Sequence, residues 1–262
     1  MLVMGVFTRE SVSRVDRKVV LARLSWLVAD VAGVVPETPR VKTIRFDVAA
    51  WPNHVPGQHV DVRLTAEDGY QAQRSYSIAS APNGSTLELT VERIDDGEVS
   101  PYLTEELRTG DQIELRGPVG GYFVWHRSIG GPLLLVAGGS GVVPLMSMLR
   151  HRVAIDAEVA ATLLFSSRSW EDVIYRDELA CLSGEGCTVV HTLTRARPPG
   201  WTGYARRVDV DMLRDVGPPA SEQPHAFVCG PTPFVEAVAS ALVDLGHDPM
   251  RVKTERFGPT GG

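Results

Sequence analysis

The hydrophobic pattern of the chain changes near residue 130, and this change limits the fold more than any other feature of the sequence. Before it, short stretches alternate between apolar and polar residues, which is typical of antiparallel strands with one buried face. After it, residues 133–137 form an uninterrupted apolar run, which is typical of a strand buried on both faces. The two halves therefore predict two different kinds of sheet.

The first half predicts a small closed barrel of six antiparallel strands, because short strands are separated by closely spaced turn residues. Pro36 and Pro39 are expected to mark the turn between the first two strands. One short helix is expected before the last strand. The predicted strands are 24–35, 40–49, 58–65, 72–78, 86–94 and 112–116, and the helix is 99–107.

The second half alternates strictly between strand and helix, which predicts a parallel sheet with crossover helices. Its predicted strands are 133–137, 159–165, 188–193, 225–229 and 252–257, and its helices are 142–153, 171–182, 208–216 and 233–245. We therefore expect a two-domain chain, with a β-barrel in residues 23–130 followed by an α/β nucleotide-binding domain in residues 131–262. Residues 1–22 are charged and weakly periodic and are expected to form an extension, in part a frayed helix.

Composition excludes several classes of protein. A formal net charge of −6 argues against a dedicated nucleic-acid binder. No apolar stretch approaches the roughly 18 residues that a membrane span needs, and the charged N-terminal residues do not match a signal peptide. We therefore expect a cytoplasmic protein. The three cysteines are too few for a disulfide frame or an iron–sulfur cluster, and no metal-binding motif is present, so no metal is expected.

An arginine and a tyrosine lie two residues apart on one predicted strand. Because side chains alternate along a strand, Arg74 and Tyr76 share one face while Ser75 and Ser77 share the other. A guanidinium beside a flat aromatic ring offers a phosphate fork and a stacking surface, which are the two features that a flavin nucleotide needs. The alternative is a plain strand with an exposed arginine and a core tyrosine.

A glycine-rich turn follows the first strand of the second half. Gly139, Gly141 and Pro144 stand where glycines let the backbone approach a pyrophosphate and proline suits the first turn of a helix. A tight packing turn is the alternative. Earlier in the chain, Gly97 and Ser100 open the predicted short helix and are candidates for a second phosphate site, unless they only start that helix.

Residues at the ends of the next two strands predict which pyridine nucleotide binds. In dinucleotide folds an acidic residue after the second strand selects NAD, whereas arginine suits the 2′-phosphate of NADP. This chain has Ser167 and Arg168 there, and Thr194 and Arg195 after the third strand. They favour NADPH, with NADH possible; solvated surface arginines are the alternative.

Cys229 ends the fourth strand of the second half, where the carboxyl edge of a parallel sheet faces the ligand crevice. A cysteine on a buried strand is also common as plain core. Gly230 and Pro231 follow it directly and complete a turn at the same edge.

These motifs occur in one order, Arg-x-Tyr-Ser, Gly-x-x-Ser, Gly-Pro-x-Gly, Gly-Gly-x-Gly-x-x-Pro and Cys-Gly-Pro, across about residues 25–257. The ordered set closely resembles the ferredoxin–NADP reductase superfamily. The resemblance implies a flavin-binding barrel, a pyridine-nucleotide domain and an active site between them.

The resemblance also implies roles for single residues. Arg74 would bind the flavin phosphates, Tyr76 would pack on the isoalloxazine ring, and Ser77 would hydrogen-bond near flavin N5. The loop of Gly97 and Ser100 favours FAD over FMN. The full set of cofactor-binding candidates is Arg74, Ser75, Tyr76, Ser77, Gly97, Val99, Ser100, Gly139, Gly141, Pro144, Ser167, Arg168, Thr194, Arg195, Cys229, Gly230 and Pro231.

Four residues are catalytic candidates by the same resemblance: Ser77, Cys229, Glu255 and Phe257. Cys229 would border the nicotinamide, Glu255 would lie near the proton path, and Phe257 would lie near the flavin ring. The last assignment departs from the family pattern, because residues 258–262 extend past the aromatic residue.

The sequence therefore predicts an FAD-dependent oxidoreductase that passes hydride from NADPH to flavin and then electrons to a separate acceptor. The acceptor would be a ferredoxin-like protein, an oxygenase or a small oxidant, because no cysteine cluster is present to take the electrons within the chain. The alternatives are an NADH-dependent flavin or ferric-chelate reductase and an electron-relay subunit of a larger complex. Residues 1–45 carry eight basic and four acidic side chains, a net +4 that would attract an acidic partner, unless it is only a solvated basic tail.

Overall fold

The computed structural model describes residues 24–82, 86–156, 158–183 and 186–258. They form two sheets, a six-stranded antiparallel sheet followed by a five-stranded parallel sheet. This arrangement confirms the predicted fold class of an antiparallel six-stranded barrel followed by a parallel α/β domain. The helix predicted within residues 1–22 lies outside the described residues. The same is true of five of the eight basic residues counted in residues 1–45.

The antiparallel sheet runs in the order β4-β3-β6-β1-β2-β5. Its two edge strands meet, because Ile78 bridges to Leu89 and the Ala79 N–H donates to the Glu88 carbonyl at 2.8 Å. The sheet is thereby closed around a core of aliphatic side chains. The strands are β1 (Leu27–Thr38), β2 (Val41–Val48), β3 (His59–Thr65), β4 (Gln71–Ser77), β5 (Thr86–Glu92) and β6 (Gln112–Val119), and a short helix, Tyr102–Glu106, precedes β6.

The parallel sheet runs in the order β11-β10-β7-β8-β9. The chain moves outward from the central strand β7 in one direction through β8 and β9, and then returns to the other side of β7 for β10 and β11. The order reverses between β7 and β10, and ligands bind outside the carboxyl ends of the strands at such a switch point. The elements are β7 (Leu133–Gly138), α1 (Val142–Ala154), β8 (Ala161–Ser167), α2 (Arg176–Leu182), β9 (Cys187–Leu193), α3 (Val210–Val216), β10 (His225–Pro231), α4 (Thr232–Asp244) and β11 (Val252–Phe257).

The first predicted turn is wrong in one detail. Pro36 lies inside β1 and pairs with Lys42, and the turn begins after Thr38. Proline has no N–H to give to a strand ladder, and it is tolerated here because the register of β1 and β2 shifts between Pro36 and Thr38.

The helix predicted at 171–182 is also wrong at its start, since α2 begins only at Arg176. Tyr175 has a left-handed backbone with φ 58, so a regular helix does not continue through it. The reason is a contact between the two domains. The Tyr175 side chain is buried against the barrel, where its hydroxyl donates to Thr90 Oγ1.

The two domains are joined through α1. Arg150 donates to the Ala79 carbonyl at 2.9 Å and to Glu88 of β5 at 2.9 Å, and it forms an ion pair with Glu178 of α2 at 2.7 Å. Its neighbour Ser147 donates to the Ser80 carbonyl at 2.7 Å. The connection between β4 and β5 is therefore held directly against the nucleotide-type domain.

No helix within the described residues is long and apolar enough to cross a membrane.

Candidate flavin and pyridine-nucleotide site

The arginine and tyrosine of β4 lie just before the point where this strand meets β5. Tyr76 is half-buried against the barrel core, and burial raises the pKa of its hydroxyl to about 12. Arg74 is exposed, and its Nη2 lies 3.1 Å from the Glu98 carboxylate. A neutral aromatic ring and an accessible guanidinium are therefore adjacent on one face, in the arrangement that the sequence predicts.

The serines of β4 have different surroundings. Ser75 donates to Asp61 of β3 at 2.7 Å, and Asp61 also forms an ion pair with Arg116 at 2.7 Å. Ser75 is thus engaged in a side-chain network within the barrel sheet. Ser77 is half-buried at the carboxyl end of the strand, next to the point where β4 meets β5.

Contacts inside the loop before the short helix determine its conformation. Ser100 is buried, and its Oγ accepts a hydrogen bond from the Ile94 N–H at 3.1 Å. A Cβ on Gly97 would lie 3.1 Å from that same Oγ, so the loop is tightly wound. Val99 anchors the loop in the barrel core. Ser100 therefore fixes the loop conformation, together with the hydrogen bond from the Gly97 N–H to the Ile94 carbonyl at 2.9 Å.

The glycine-rich turn links β7 to α1. Gly139 has φ +56, and no atom lies within 4 Å of the position of an added Cβ, so its outer side is open. In contrast, a Cβ on Gly141 would lie 2.2 Å from the Cys229 carbonyl oxygen, so only glycine allows α1 to start this close to β10. Pro144 is buried in the first turn of α1. The open face beside the N-terminus of a 13-residue helix suits a pyrophosphate.

The glycine turn contacts the barrel. Ser140 donates to the carboxylate of Glu92 at the end of β5, with an Oγ to Oε2 distance of 2.7 Å. The sequence analysis did not identify either residue. Ser140 lies inside the glycine motif, but no local signal indicates a partner 48 residues away. Because β5 also meets the end of β4, this contact places the glycine turn of the parallel-sheet domain against the barrel strand next to β4.

Cys229 and Glu255 form a pair at the carboxyl edge of the parallel sheet. They are register partners on β10 and β11, and the thiol donates to the Glu255 carboxylate with an Sγ to Oε2 distance of 3.9 Å. Burial raises the pKa of the Cys229 thiol and raises the pKa of Glu255 to about 7. The pair therefore combines a neutral thiol with a carboxyl group that gains or loses a proton near neutral pH.

The end of β11 extends this edge. Phe257 pairs in register with Pro231, and its side chain is 37% exposed, so the ring is available to a ligand. The sequence analysis did not identify Tyr122, whose hydroxyl contacts the Val252 carbonyl at 3.5 Å and whose ring is 62% exposed. Tyr122 lies in the connection between the domains, in the stretch that follows β6.

The two arginine loops are brought together. The Arg195 N–H donates to the Arg168 carbonyl at 2.8 Å, and the Thr194 N–H donates to the Ser167 carbonyl at 3.0 Å. Both arginines are exposed, and neither forms an ion pair with another described residue. The Ser167 hydroxyl is buried without a hydrogen-bond partner among the described residues. This edge therefore presents two unpaired cations near an unsatisfied polar group.

This arrangement defines a class of protein. A closed barrel with an arginine and tyrosine beside a tight loop, joined to a parallel sheet with a glycine turn at its switch point, is the architecture of a two-domain flavin and pyridine-nucleotide oxidoreductase.

Comparison with known proteins agrees with this class. Residues 38–124 match the oxidoreductase FAD-binding domain family, and residues 135–240 match the oxidoreductase NAD-binding domain family. The chain is 34% identical over 212 residues to the glycine betaine monooxygenase reductase subunit of Pseudomonas aeruginosa, a match that covers 78% of this chain and 56% of that protein. It is 34% identical over 238 residues to ferredoxin–NADP reductase B of Sorangium cellulosum, which covers 87% of this chain and 96% of that protein.

A solved structure is similar over most of the chain. The FAD/NAD-binding domain of nitric oxide dioxygenase from Vibrio cholerae aligns with a TM-score of 0.80 and 25% identity, covering 89% of this chain and 99% of that one. The chain therefore belongs to the ferredoxin–NADP reductase superfamily, with an oxidoreductase FAD-binding domain followed by an oxidoreductase NAD-binding domain. The chain spans about half the length of the glycine betaine monooxygenase reductase subunit.

Proposed function

We propose that this protein is an NADPH-dependent FAD reductase that delivers electrons to a separate acceptor. The observation that supports the proposal is the Ser140 to Glu92 contact, which places the glycine turn of the parallel-sheet domain against β5, the barrel strand that meets β4. FAD, when bound, supplies the chemistry that accepts a hydride and releases single electrons. The protein supplies binding, orientation and exclusion of water.

The barrel residues would hold the flavin. Arg74 would bind its phosphates, with the loop of Gly97 and Ser100 beside it. Tyr76 would pack against the ring system, and Ser77 would donate a hydrogen bond to it. Val99 and Ser100 would keep the loop in its conformation, as their burial indicates. Ser75 would act only indirectly, by fixing β4 through Asp61.

The parallel sheet would hold the pyridine nucleotide. The open side of Gly139 and the first amides of α1 would bind the pyrophosphate, with Gly141 and Pro144 allowing the close approach of the helix. Cys229, followed by Gly230 and Pro231, would border the nicotinamide.

Two residues at the end of β11 would act beside the flavin and nicotinamide rings. Phe257 would lie near the flavin ring, since its side chain is partly exposed at the end of β11. Glu255 would hold or release a proton at the crevice, because its pKa of about 7 allows both states near neutral pH.

The preference for NADPH rests on Arg168 and Arg195, with Ser167 and Thr194 beside them. Their charge is not neutralised by a carboxylate among the described residues, which suits the 2′-phosphate of NADP(H).

The preference is tested by charge reversal. Arg168→Glu and Arg195→Glu are each expected to lower kcat/KM for NADPH by about ten- to a hundredfold while leaving NADH nearly unchanged, since each removes a charge-assisted hydrogen bond. Arg214→Glu on α3 is the matched control, because that arginine is exposed in the same domain but is paired locally with Asp211. If wild-type protein uses NADH as well as NADPH and the variants alter neither, the protein is an NADH-dependent reductase of flavins or ferric chelates.

The cofactor itself is tested first. The purified protein is expected to be yellow, to release FAD on denaturation, and to be bleached by NADPH under anaerobic conditions. A colourless protein that does not take up FAD would contradict the proposal. A yellow protein that is bleached but shows little turnover with artificial acceptors would instead be an electron-relay subunit of a larger complex.

The acceptor is proposed as a ferredoxin-like protein or an oxygenase component. The support comes from relatives, since the matched Pseudomonas aeruginosa protein is a reductase subunit of a monooxygenase and the Sorangium cellulosum protein is a ferredoxin–NADP reductase. Attraction of an acidic partner by the basic N-terminal region has less support. Within that region, Arg40 and Arg45 are paired with Asp95 and Glu88. A cytoplasmic location is part of the proposal, and the three cysteines are free, as in a reducing compartment.

A further inference from the structure

Glu98 stands at the proposed flavin-phosphate site with its carboxylate turned toward Arg74. One carboxylate oxygen accepts from Arg74 Nη2 at 3.1 Å, and the other accepts from the Tyr70 hydroxyl at 2.6 Å. Glu98 directly follows Gly97 in the tight loop before the short helix. A negative charge at this position is unexpected in a site for phosphates.

The carboxylate and a phosphate would compete for the same group. Arg74 also donates from Nη1 to the Gln73 carbonyl at 2.7 Å, so its guanidinium is already partly engaged. Carboxylates and phosphates are both recognised by the planar guanidinium fork, and two anions beside one cation repel each other. A phosphate that approaches Arg74 therefore finds the Glu98 carboxylate already hydrogen-bonded to the guanidinium.

The ion pair is weak enough to be opened. The side chains of Arg74 and Glu98 are 55% and 49% exposed, and ion pairs of this exposure contribute little to stability. A pyrophosphate carries more charge and more acceptor oxygens than a carboxylate, so it displaces Glu98. The Tyr70 hydroxyl, on the other side of the carboxylate, can keep Glu98 hydrogen-bonded after it leaves Arg74.

We propose that Glu98 is an internal competitor of the flavin phosphates for Arg74, which moves aside when FAD binds and thereby lowers the affinity for FAD. This inference rests on the proposed role of Arg74 in binding the flavin phosphates. It assigns to Glu98 a function in controlling how tightly the cofactor is held.

The test is Glu98→Gln, with FAD affinity measured by titration of the apoprotein and by the rate of FAD loss from the holoprotein. The variant is expected to bind FAD about three- to tenfold more tightly at low ionic strength, because it removes both the competing ion pair and the repulsion. Riboflavin, which has no phosphate, is expected to bind equally to both proteins. Glu105→Gln is the matched control, since it removes the same charge from the short helix that follows this loop, but its carboxylate pairs with Arg93.

Weaker or unchanged FAD binding by Glu98→Gln would overturn the inference, since weaker binding would mean that Glu98 positions Arg74 for the phosphate. Glu98→Ala must change FAD affinity in the same direction as Glu98→Gln. In an Arg74→Ala background the gain from Glu98→Gln is expected to disappear. Arg74→Ala alone separates the two proposals, because an unchanged FAD affinity in that variant would refute the phosphate role of Arg74 itself.

Discussion

The Cys229 and Glu255 pair shows how one residue acquires its chemistry from its surroundings. A glutamate in water is ionised at neutral pH, but burial beside Cys229 raises the pKa of Glu255 to about 7. The cysteine beside it stays a neutral thiol for the same reason. The pair is therefore poised to hold a proton at the crevice, and its charge depends on pH in the range where the enzyme would work.

The raised pKa predicts a pH dependence of stability. Between about pH 4.5, the ordinary pKa of glutamate, and about pH 7, the folded protein holds a proton on Glu255 that the unfolded chain has lost. The free energy of unfolding therefore falls as pH rises through this window. Glu255→Gln is expected to abolish that part of the fall and to raise the unfolding free energy above pH 7 by about 1–2 kcal/mol, discounted because the side chain is only half-buried.

Urea unfolding at pH 5 and pH 8 measures this difference. The control is Glu236→Gln, which removes an exposed carboxylate that pairs with Arg256 and is expected to change stability by less than about 0.5 kcal/mol at either pH. Parallel pH profiles for wild type and Glu255→Gln would show that Glu255 ionises normally.

The glycine turn and α1 act together as an element. Gly139 leaves an open surface while Gly141 lets α1 approach the Cys229 carbonyl, so one turn provides both a ligand surface and close helix packing. The same element reaches the barrel through Ser140 and Arg150. The position of the turn is thus fixed from the nucleotide side and from the flavin side.

Gly141→Ala tests this packing. The added methyl group would overlap the Cys229 carbonyl, so we expect a loss of about 2–3 kcal/mol in unfolding free energy and weaker binding of NADP(H). Gly33→Ala in β1 is the control, since nothing lies within 4 Å of its added Cβ. Thermal or urea unfolding and nucleotide titration measure the two effects, and wild-type behaviour of Gly141→Ala would mean that the helix start has room to move.

On the scale of the whole molecule, polar contacts of Arg150 help to set the relative position of the domains, beside a hydrophobic cluster that includes Val41 and Ala79 of the barrel. Arg150 is only 18% exposed and contacts a barrel carbonyl, a barrel carboxylate and a carboxylate of its own domain. Such a group is costly to remove, because the Ala79 carbonyl and the Glu178 carboxylate lose it as a partner and Glu88 keeps only Arg45. Hydride transfer needs the two rings held in register, so this interface bears directly on the proposed activity.

Arg150→Ala is expected to lower the free energy of unfolding by about 2–4 kcal/mol and to slow flavin reduction, because the domains lose a shared anchor. Arg214→Ala, which removes an exposed arginine paired three residues away, is expected to cost less than about 0.5 kcal/mol. Urea unfolding measures the change in stability, and stopped-flow reduction of the folded protein with NADPH measures the rate of flavin reduction. A loss of stability without slower reduction would show that other contacts set the geometry between the domains.

The sequence by itself determined the two kinds of sheet and the places of the arginine-tyrosine strand, the glycine turn and the cysteine strand end. These features are local, since strand alternation, buried runs and glycine turns are encoded by residues a few positions apart. Contacts between distant residues were decided only by the tertiary structure. Folding brings Glu98 to Arg74, Ser140 to Glu92 and Arg150 to Glu88 across 24, 48 and 62 residues.

The start of α2 and the protonation of Glu255 belong to the same category. Helical periodicity favoured an earlier start for α2, but the burial of Tyr175 against the barrel imposed a left-handed residue there. Nothing near Glu255 in the sequence indicates burial beside Cys229, which is 26 positions away. The local sequence pattern determines which strands and helices form. The burial and charge of the site residues depend on which of these elements contact one another, and only the folded chain determines those contacts.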